Sequence, residues 1–213
     1  MKLNKVDYLH VTLIIIALIL GVYLATGVFD PYEIVWVHYF QLWVITNHLT
    51  LLFEALTYAG DPFVWIIIIG VYLIAERKNP TRAFKMTMFI ILISLVDLVL
   101  KYGFSRPRPF VRFPNEVQVI LPETMGSYPS GHVTRLAGES YFIKNGKLFS
   151  AFLGIMIVLL SLSRVAMGVH YFTDTIGGFL VSYPLAALTD HFGIYEKILG
   201  YLHLLPKPKV AAG

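Results

Sequence analysis

Three short stretches hold residue types that do chemistry: KYGFSRPRP at 101–109, YPSGH at 128–132 and SRVAMGVHYFTD at 163–174. Together they offer Lys101, Arg108 and Arg164 as cations, His132 and His170 as imidazoles, and Asp174 as a carboxylate. A guanidinium fork matches phosphate oxygens with paired hydrogen bonds, whereas Lys acts as a point charge. Ser130 and Gly131 stand where a helix is expected to open, so their backbone N–H groups and the helix dipole favour an anion. This set describes a phosphate pocket. With both residues on one helix, His170 and Asp174 lie a turn apart, so the carboxylate holds one ring N–H and leaves the other nitrogen a free lone pair. That makes His170 a nucleophile. His132 has no acidic neighbour in sequence and can protonate a departing oxygen, then activate water. Phosphoryl transfer asks the protein mainly for positioning and for stabilisation of equatorial oxygens, which the cations supply.

These stretches need elements that carry them to one level. Of the 213 residues, 57% are hydrophobic and only 14% charged, a balance foreign to a water-soluble domain of this length. The composition is that of an integral membrane protein. Each charge at the centre of a membrane helix costs about 2.5 to 3.5 kcal/mol, so the Arg, His and Asp of 163–174 call for a functional reason. The apolar run 11–29 is longer than the h-region of a signal peptide and no small-x-small cleavage site follows, so it reads as a retained anchor helix. Further spans are expected at 56–75, 84–102, 130–144, 147–165 and 170–190, giving an all-α bundle of six transmembrane helices. The fourth, SGHVTRLAGESYFIK, is too polar for hydropathy alone to find. Residues 31–54 mix aromatics with His, Asn and Glu and read as a helix lying in the headgroup region.

Charge then orients the bundle. Lys2, Lys5, Arg77, Lys78, Arg82, Lys85, Lys144, Lys147, Lys197, Lys207 and Lys209 fall on one side of the six-span arrangement, while the first opposite loop carries Asp30, Glu33, Glu54 and Asp61 and no Lys or Arg. Both termini are therefore expected in the cytoplasm and the three stretches at the extracytoplasmic face of the cell membrane. A single domain over 1–213 is expected: an N-terminal span and interfacial segment at 1–60, a catalytic core at 61–190 and a cytoplasmic tail, frayed at its end, at 191–213. The absence of Cys excludes disulfides and thiolate chemistry. A net charge of +4 without a basic run excludes nucleic acid as a partner.

The chain resembles the type 2 phosphatidic acid phosphatase (PAP2) family, whose tripartite signature reads K-x6-R-P, P-S-G-H and S-R-x5-H-x3-D. Lys101, Arg108 and Pro109 match the first part; Pro129, Ser130, Gly131 and His132 the second; Ser163, Arg164, His170 and Asp174 the third. The resemblance implies a six-helix fold with its site at the outer face. It implies a phosphohistidine on His170, oriented by Asp174, with His132 as acid and base and Lys101, Arg108, Ser130, Gly131 and Arg164 holding the phosphate. It implies neither metal nor other cofactor.

The substrate expected is a lipid phosphate reaching the site from the bilayer. A polyprenyl diphosphate comes first because Arg135, close to His132, can touch a second phosphate. Phosphatidic acid and phosphatidylglycerol phosphate follow, and a phosphotransferase or a non-enzymatic lipid transporter are the readings from other classes. Other polar residues have plainer readings. Asp97, one turn before Lys101, is expected to neutralise it, and Arg135 and Glu139 to satisfy each other. Arg106 with Pro107 repeats the Arg-Pro of the signature out of register and reads as loop. His10, His38, His48, His191 and His203 receive no role. Gly177, Gly178 and Pro184 are expected to allow close packing and a bend.

Overall fold

The computed structural model describes residues 4–201, and all of its regular elements are helical. They are α1 (Lys5–Ala25), α2 (Asp30–Thr46), α3 (Thr50–Thr57), α4 (Pro62–Ala75), α5 (Thr81–Phe104), α6 (Pro109–Arg112), α7 (Gly131–Ile143), α8 (Gly146–Ala166), α9 (Phe172–His191) and α10 (Ile194–Tyr201). Lys2, His203, Lys207, Lys209 and the end of the tail lie outside the described residues.

Three runs are long and apolar enough to cross a membrane: Lys5–Ala25, Thr81–Arg112 and Gly146–Ala166. The pair Thr50–Gly60 and Pro62–Ala75 passes the same test together, bent by 54°. The bend has a local cause. Asp61 caps α4 by accepting the Phe63 N–H at 2.8 Å, and Pro62 at the first helical position cannot extend the preceding turn. The expected crossings 130–144 and 170–190 correspond to α7 and α9, and neither passes. At 13 residues α7 is about 20 Å long, short of a bilayer core. Both are inner helices: α7 packs on α9 and α5, and α9 also on α1, so their polar side chains face protein instead of lipid. Large apolar side chains of α1, α4 and α8, such as Ile19, Ile67 and Ile155, point outward. The chain is a multi-pass membrane protein.

Residues 31–54 are not one interfacial helix. α2 and α3 are separated at His48, whose φ of 57° breaks the run. One side of α2 is buried, including Asp30, Glu33 and Gln41, and Gln41 donates to Ala166 O at 2.9 Å and Gln118 O at 2.7 Å. Its other side exposes Tyr32, Trp36 and Tyr39.

Tyr128 holds the second stretch in place. Its hydroxyl donates to Ala17 O of α1 at 2.6 Å, and a Cβ on Gly177 of α9 would lie 2.3 Å from its ring. Gly177 is thus required where α9 meets this ring, and Gly178 likewise lets α9 approach Ser130 O.

Candidate active site

α5 ends where the cations begin. Ser105 adopts the left-handed conformation (φ 48°) and donates its N–H to Lys101 O at 2.9 Å, a helix stop that turns residues 106–108 back toward the bundle. Lys101 donates to Pro129 O at 2.8 Å and to Gly126 O at 3.1 Å, so the first stretch grips the backbone of the second. Asp97 lies 3.9 Å from Lys101, as its spacing predicts.

Ser130 is the residue preceding α7, but its N–H is not free for a ligand. It donates to Asp174 O at 3.0 Å, which locks the second stretch to the third. The buried Ser130 hydroxyl, by contrast, has no hydrogen-bond partner among the described residues. Gly131 opens the helix, where an N–H has no intrahelical acceptor. A Cβ there would sit 2.8 Å from Asp97 Oδ2, so a larger residue would displace that carboxylate.

His170 and Asp174 do not share a helical face. α9 starts at Phe172, so His170 belongs to the turn before it. The pair meets because Asp174 folds back onto the helix start: its Oδ2 accepts the Tyr171 N–H at 2.9 Å and lies 3.4 Å from His170 Nδ1. His170 is fully buried. On its other side Nε2 stands 3.2 Å from Arg108 Nη1, and Arg108 is fixed by Val169 O at 2.8 Å and Met125 O at 2.7 Å.

One carboxylate that no motif announces lies in the middle. Glu123, on the loop before YPSGH, pairs with Arg108 at 2.6 Å and with Arg164. Its oxygens are 3.8 Å from His132 Nδ1 and 3.8 Å from His170 Nε2. Both imidazoles therefore face the same anionic group. Burial by itself would raise the Glu123 carboxyl, but Arg164, then His170, Arg108 and Lys101, hold it at about 2. The second arm of Arg164 donates to Thr57 Oγ1 at 2.6 Å, which brings the end of α3 into the site.

Arg135 and Glu139 do not satisfy each other. Helical side chains lean toward the N-terminus, so Arg135 reaches back to lie 3.3 Å from His132 Nδ1 and donates to Gly60 O at 2.7 Å. Both Glu139 carboxylate oxygens are buried without a partner among the described residues. A cavity of ≈ 500 Å³ opens between Pro62 of α4 and Ser94 and Leu98 of α5, and Asp97, Lys101, Glu123, His132 and Arg135 line it. A larger one, ≈ 880 Å³, lies at the opposite end of α5 around Arg77, Lys85 and Lys144, far from both imidazoles.

Arg106 lies in the connection between α5 and α6, as expected of a loop, but its side chain does not point to solvent. It is fully buried behind His170, donating to Asp174 Oδ1 at 2.7 Å, to Asp30 at 2.7 Å and to Glu33 at 2.7 Å. Glu123, Thr57 and Gly60 belong to no motif, and no motif places Arg106, Asp30 or Glu33 in the site. The available signals were an Arg-Pro written twice and an i,i+3 carboxylate pair on α2 without a basic partner in its own segment. Neither sets a distance.

The sequence profile of the PAP2 superfamily matches residues 82–196. The chain belongs to the PAP2 superfamily. Over 125 residues it is 35% identical to the undecaprenyl-diphosphatase of Sulfolobus acidocaldarius, covering 57% of this chain and 60% of that protein. Over 145 residues it is 31% identical to phosphatidylglycerophosphatase B of Bacillus subtilis, covering 62% of this chain and 67% of that protein. The fold is also that of solved PAP2 structures. The transmembrane phosphatidylglycerolphosphate phosphatase of Bacillus subtilis superposes with a TM-score of 0.73 at 24% identity, over 89% of this chain and 96% of that one. LpxE of Aquifex aeolicus superposes with a TM-score of 0.60 at 23% identity, over 67% of this chain and 86% of that one.

Proposed function

We propose that this PAP2 protein is a membrane lipid phosphatase that removes a terminal phosphate through a covalent intermediate on His170. The observation that carries the reading is that two imidazoles and two guanidinium groups converge on one carboxylate, Glu123. A tetrahedral phosphate placed there meets an attacking nitrogen, a proton donor and the cations that neutralise its equatorial oxygens. His170 Nε2 attacks the terminal phosphorus while Nδ1–H is held by Asp174. As the N–P bond forms, the P–O bond to the lipid breaks and the leaving oxygen takes a proton from His132. His132 then removes a proton from water, whose oxygen attacks the phosphohistidine and frees His170 and inorganic phosphate. Arg108, Arg164, Lys101, the Ser130 hydroxyl and the Gly131 N–H hold the phosphate throughout. The positive charge these side chains supply leaves no step that calls for a metal.

The first substrate class is a polyprenyl diphosphate. Arg135 lines the cavity beside His132 and can take the second phosphate, and that cavity opens between α4 and α5, a route for a lipid between helices. The relative from Sulfolobus acidocaldarius is named for such a substrate. The relative from Bacillus subtilis is named for phosphatidylglycerophosphate, which makes that lipid the second candidate. We take the chain as one unit with its core at 61–190, completed by Asp30, Glu33, Thr57 and Gly60 from the first 60 residues. We count α7 and α9 as inner crossings shielded from lipid by their neighbours, which makes six and puts both termini in the cytoplasm and the site at the extracytoplasmic face. Arg77, Lys78, Arg82, Lys85 and Lys144, gathered around the far cavity, support that orientation. Phosphate release by the purified protein in detergent, compared across polyprenyl diphosphates, phosphatidic acid and phosphatidylglycerol phosphate, tests the assignment. A clear preference for the diphosphates supports it, and turnover of phosphatidylglycerol phosphate alone replaces it. Transfer to an added alcohol in preference to water makes the protein a phosphotransferase, and release from none of them leaves a lipid-binding protein.

A further inference from the structure

Behind His170, on the side away from the phosphate, lies a second buried charge cluster in which Arg106, Asp30 and Glu33 take part in no step of the proposed reaction. Arg106 sits at its centre. Nη1 donates to Asp174 Oδ1 at 2.7 Å and to Thr173 Oγ1 at 2.9 Å, Nε and Nη2 donate to Asp30 Oδ1 at 3.1 and 2.7 Å, and Nη2 also reaches Glu33 Oε2 at 2.7 Å. The guanidinium lies 4.0 Å over the ring of Tyr171. Glu33 meanwhile accepts the Thr173 N–H at 3.0 Å and its hydroxyl at 2.6 Å, and Arg112 approaches the far oxygen of Asp30 at 3.2 Å.

The geometry of Asp174 shows what this cluster does. Its two oxygens are divided: Oδ1 belongs to Arg106, while Oδ2 takes the Tyr171 N–H and faces His170 Nδ1 at 3.4 Å. A carboxylate held only by the helix start is free to rotate about its terminal torsion, which is broad and roughly two-fold. Pinning Oδ1 fixes the plane, and the plane decides whether Oδ2 meets the imidazole. We propose that Arg106 is a positioning residue for the nucleophile, clamping Asp174 against His170 while Asp30 and Glu33 of α2 anchor the clamp. A fork is needed for this task, since one group has to reach Asp174 in one direction and two carboxylates in another; the point charge of Lys does not divide that way. The inference deepens the reading of His170 as nucleophile and rests on it.

The test is rapid-quench labelling of the full-length protein with farnesyl diphosphate carrying a radioactive terminal phosphate, stopped in alkali, where phosphohistidine survives. The amplitude of the first turnover counts competent sites, and its rate reports attack by His170. Arg106→Lys is expected to slow the rate by about 10²-fold, the scale of a misplacement of roughly 1 Å, with KM and rate per site moving separately: KM unchanged, rate reduced. A merely structural Arg106 lowers the amplitude and leaves the rate per site at the wild-type value, which overturns the proposal. Should Arg106→Lys fail to fold, Asp30→Asn and Glu33→Gln leave the grip on Asp174 intact and loosen only its anchor. A slower rate per site in these supports the clamp, and wild-type rates in both overturn it. If the wild-type protein turns over without trapping label, the phosphohistidine reading itself fails and takes the clamp with it; label trapped in the wild type with unaffected variants defeats the clamp alone.

Discussion

His170 separates two charge clusters built from the same side-chain types to opposite ends. In front, Lys101, Arg108, Arg135 and Arg164 gather around Asp97 and Glu123, and the central carboxylate belongs to a loop. Behind, Arg106 and Arg112 face Asp30, Glu33 and Asp174, all three carried on helices. The front therefore has cation to spare and an anion that can leave; the back is closed on itself. A buried ion pair gains little over apolar packing, so neither cluster is explained by stability alone. On the proposed function, the front exchanges a ligand and the back holds a geometry.

The largest way to break this comparison is to remove the residue between the clusters. His170→Ala is expected to abolish phosphate release and to trap no label, and measurable turnover removes it as nucleophile. Next come the front cations. Arg164→Met is expected to lower kcat by about 10²–10³-fold, the cost of deleting one preorganised donor to the transferring group; a loss under roughly tenfold means the front does not grip the phosphate in the transition state.

The motif residues behind those two predictions were legible in the sequence, because fixed residue types at fixed spacings mark chemistry without reference to a fold. What lay outside the motifs was not. Arg106 and Glu123 acquire their roles from long-range contacts, Arg106 with α2 and Glu123 with the end of α8, which no local pattern encodes. Asp30 and Glu33 look like loop acids until α2 turns them inward. His170 appeared to sit one helical turn from Asp174, whereas the two meet through the turn that precedes α9. Hydropathy found α1 and α8, whose large apolar side chains point outward, and missed α7, whose polar side chains face the interior of the bundle and the site.

Smaller effects sharpen the contrast. Glu123 is held at about 2, so it is an anion at every working pH, and under the proposed function it occupies the place that substrate phosphate takes. Glu123→Gln is expected to tighten inorganic phosphate as an inhibitor several-fold without a pH step. Added phosphate should raise its melting temperature in detergent more than that of the wild type, since phosphate then neutralises otherwise unpaired arginines. Equal shifts mean that Glu123 does not share the phosphate position. Wild-type kcat is expected to follow a bell-shaped pH curve set by the coupled imidazoles of the substrate complex, His170 neutral and His132 protonated beside the bound phosphate, and a flat curve contradicts paired acid and base work. Smallest of all is the effect of chelators: the rate in excess EDTA should equal the untreated rate, and recovery on adding back a divalent ion assigns the chemistry to a metal.

The most direct measurement is an experimental structure of the wild-type protein with vanadate, a mimic of the five-coordinate phosphoryl transition state. Vanadium is expected within bonding reach of His170 Nε2, with its oxygens on Arg108 and Arg164, His132 on the opposite side, and the Glu123 carboxylate displaced. Vanadate bound away from both imidazoles, or bound with Glu123 still between the arginines, contradicts the proposed function.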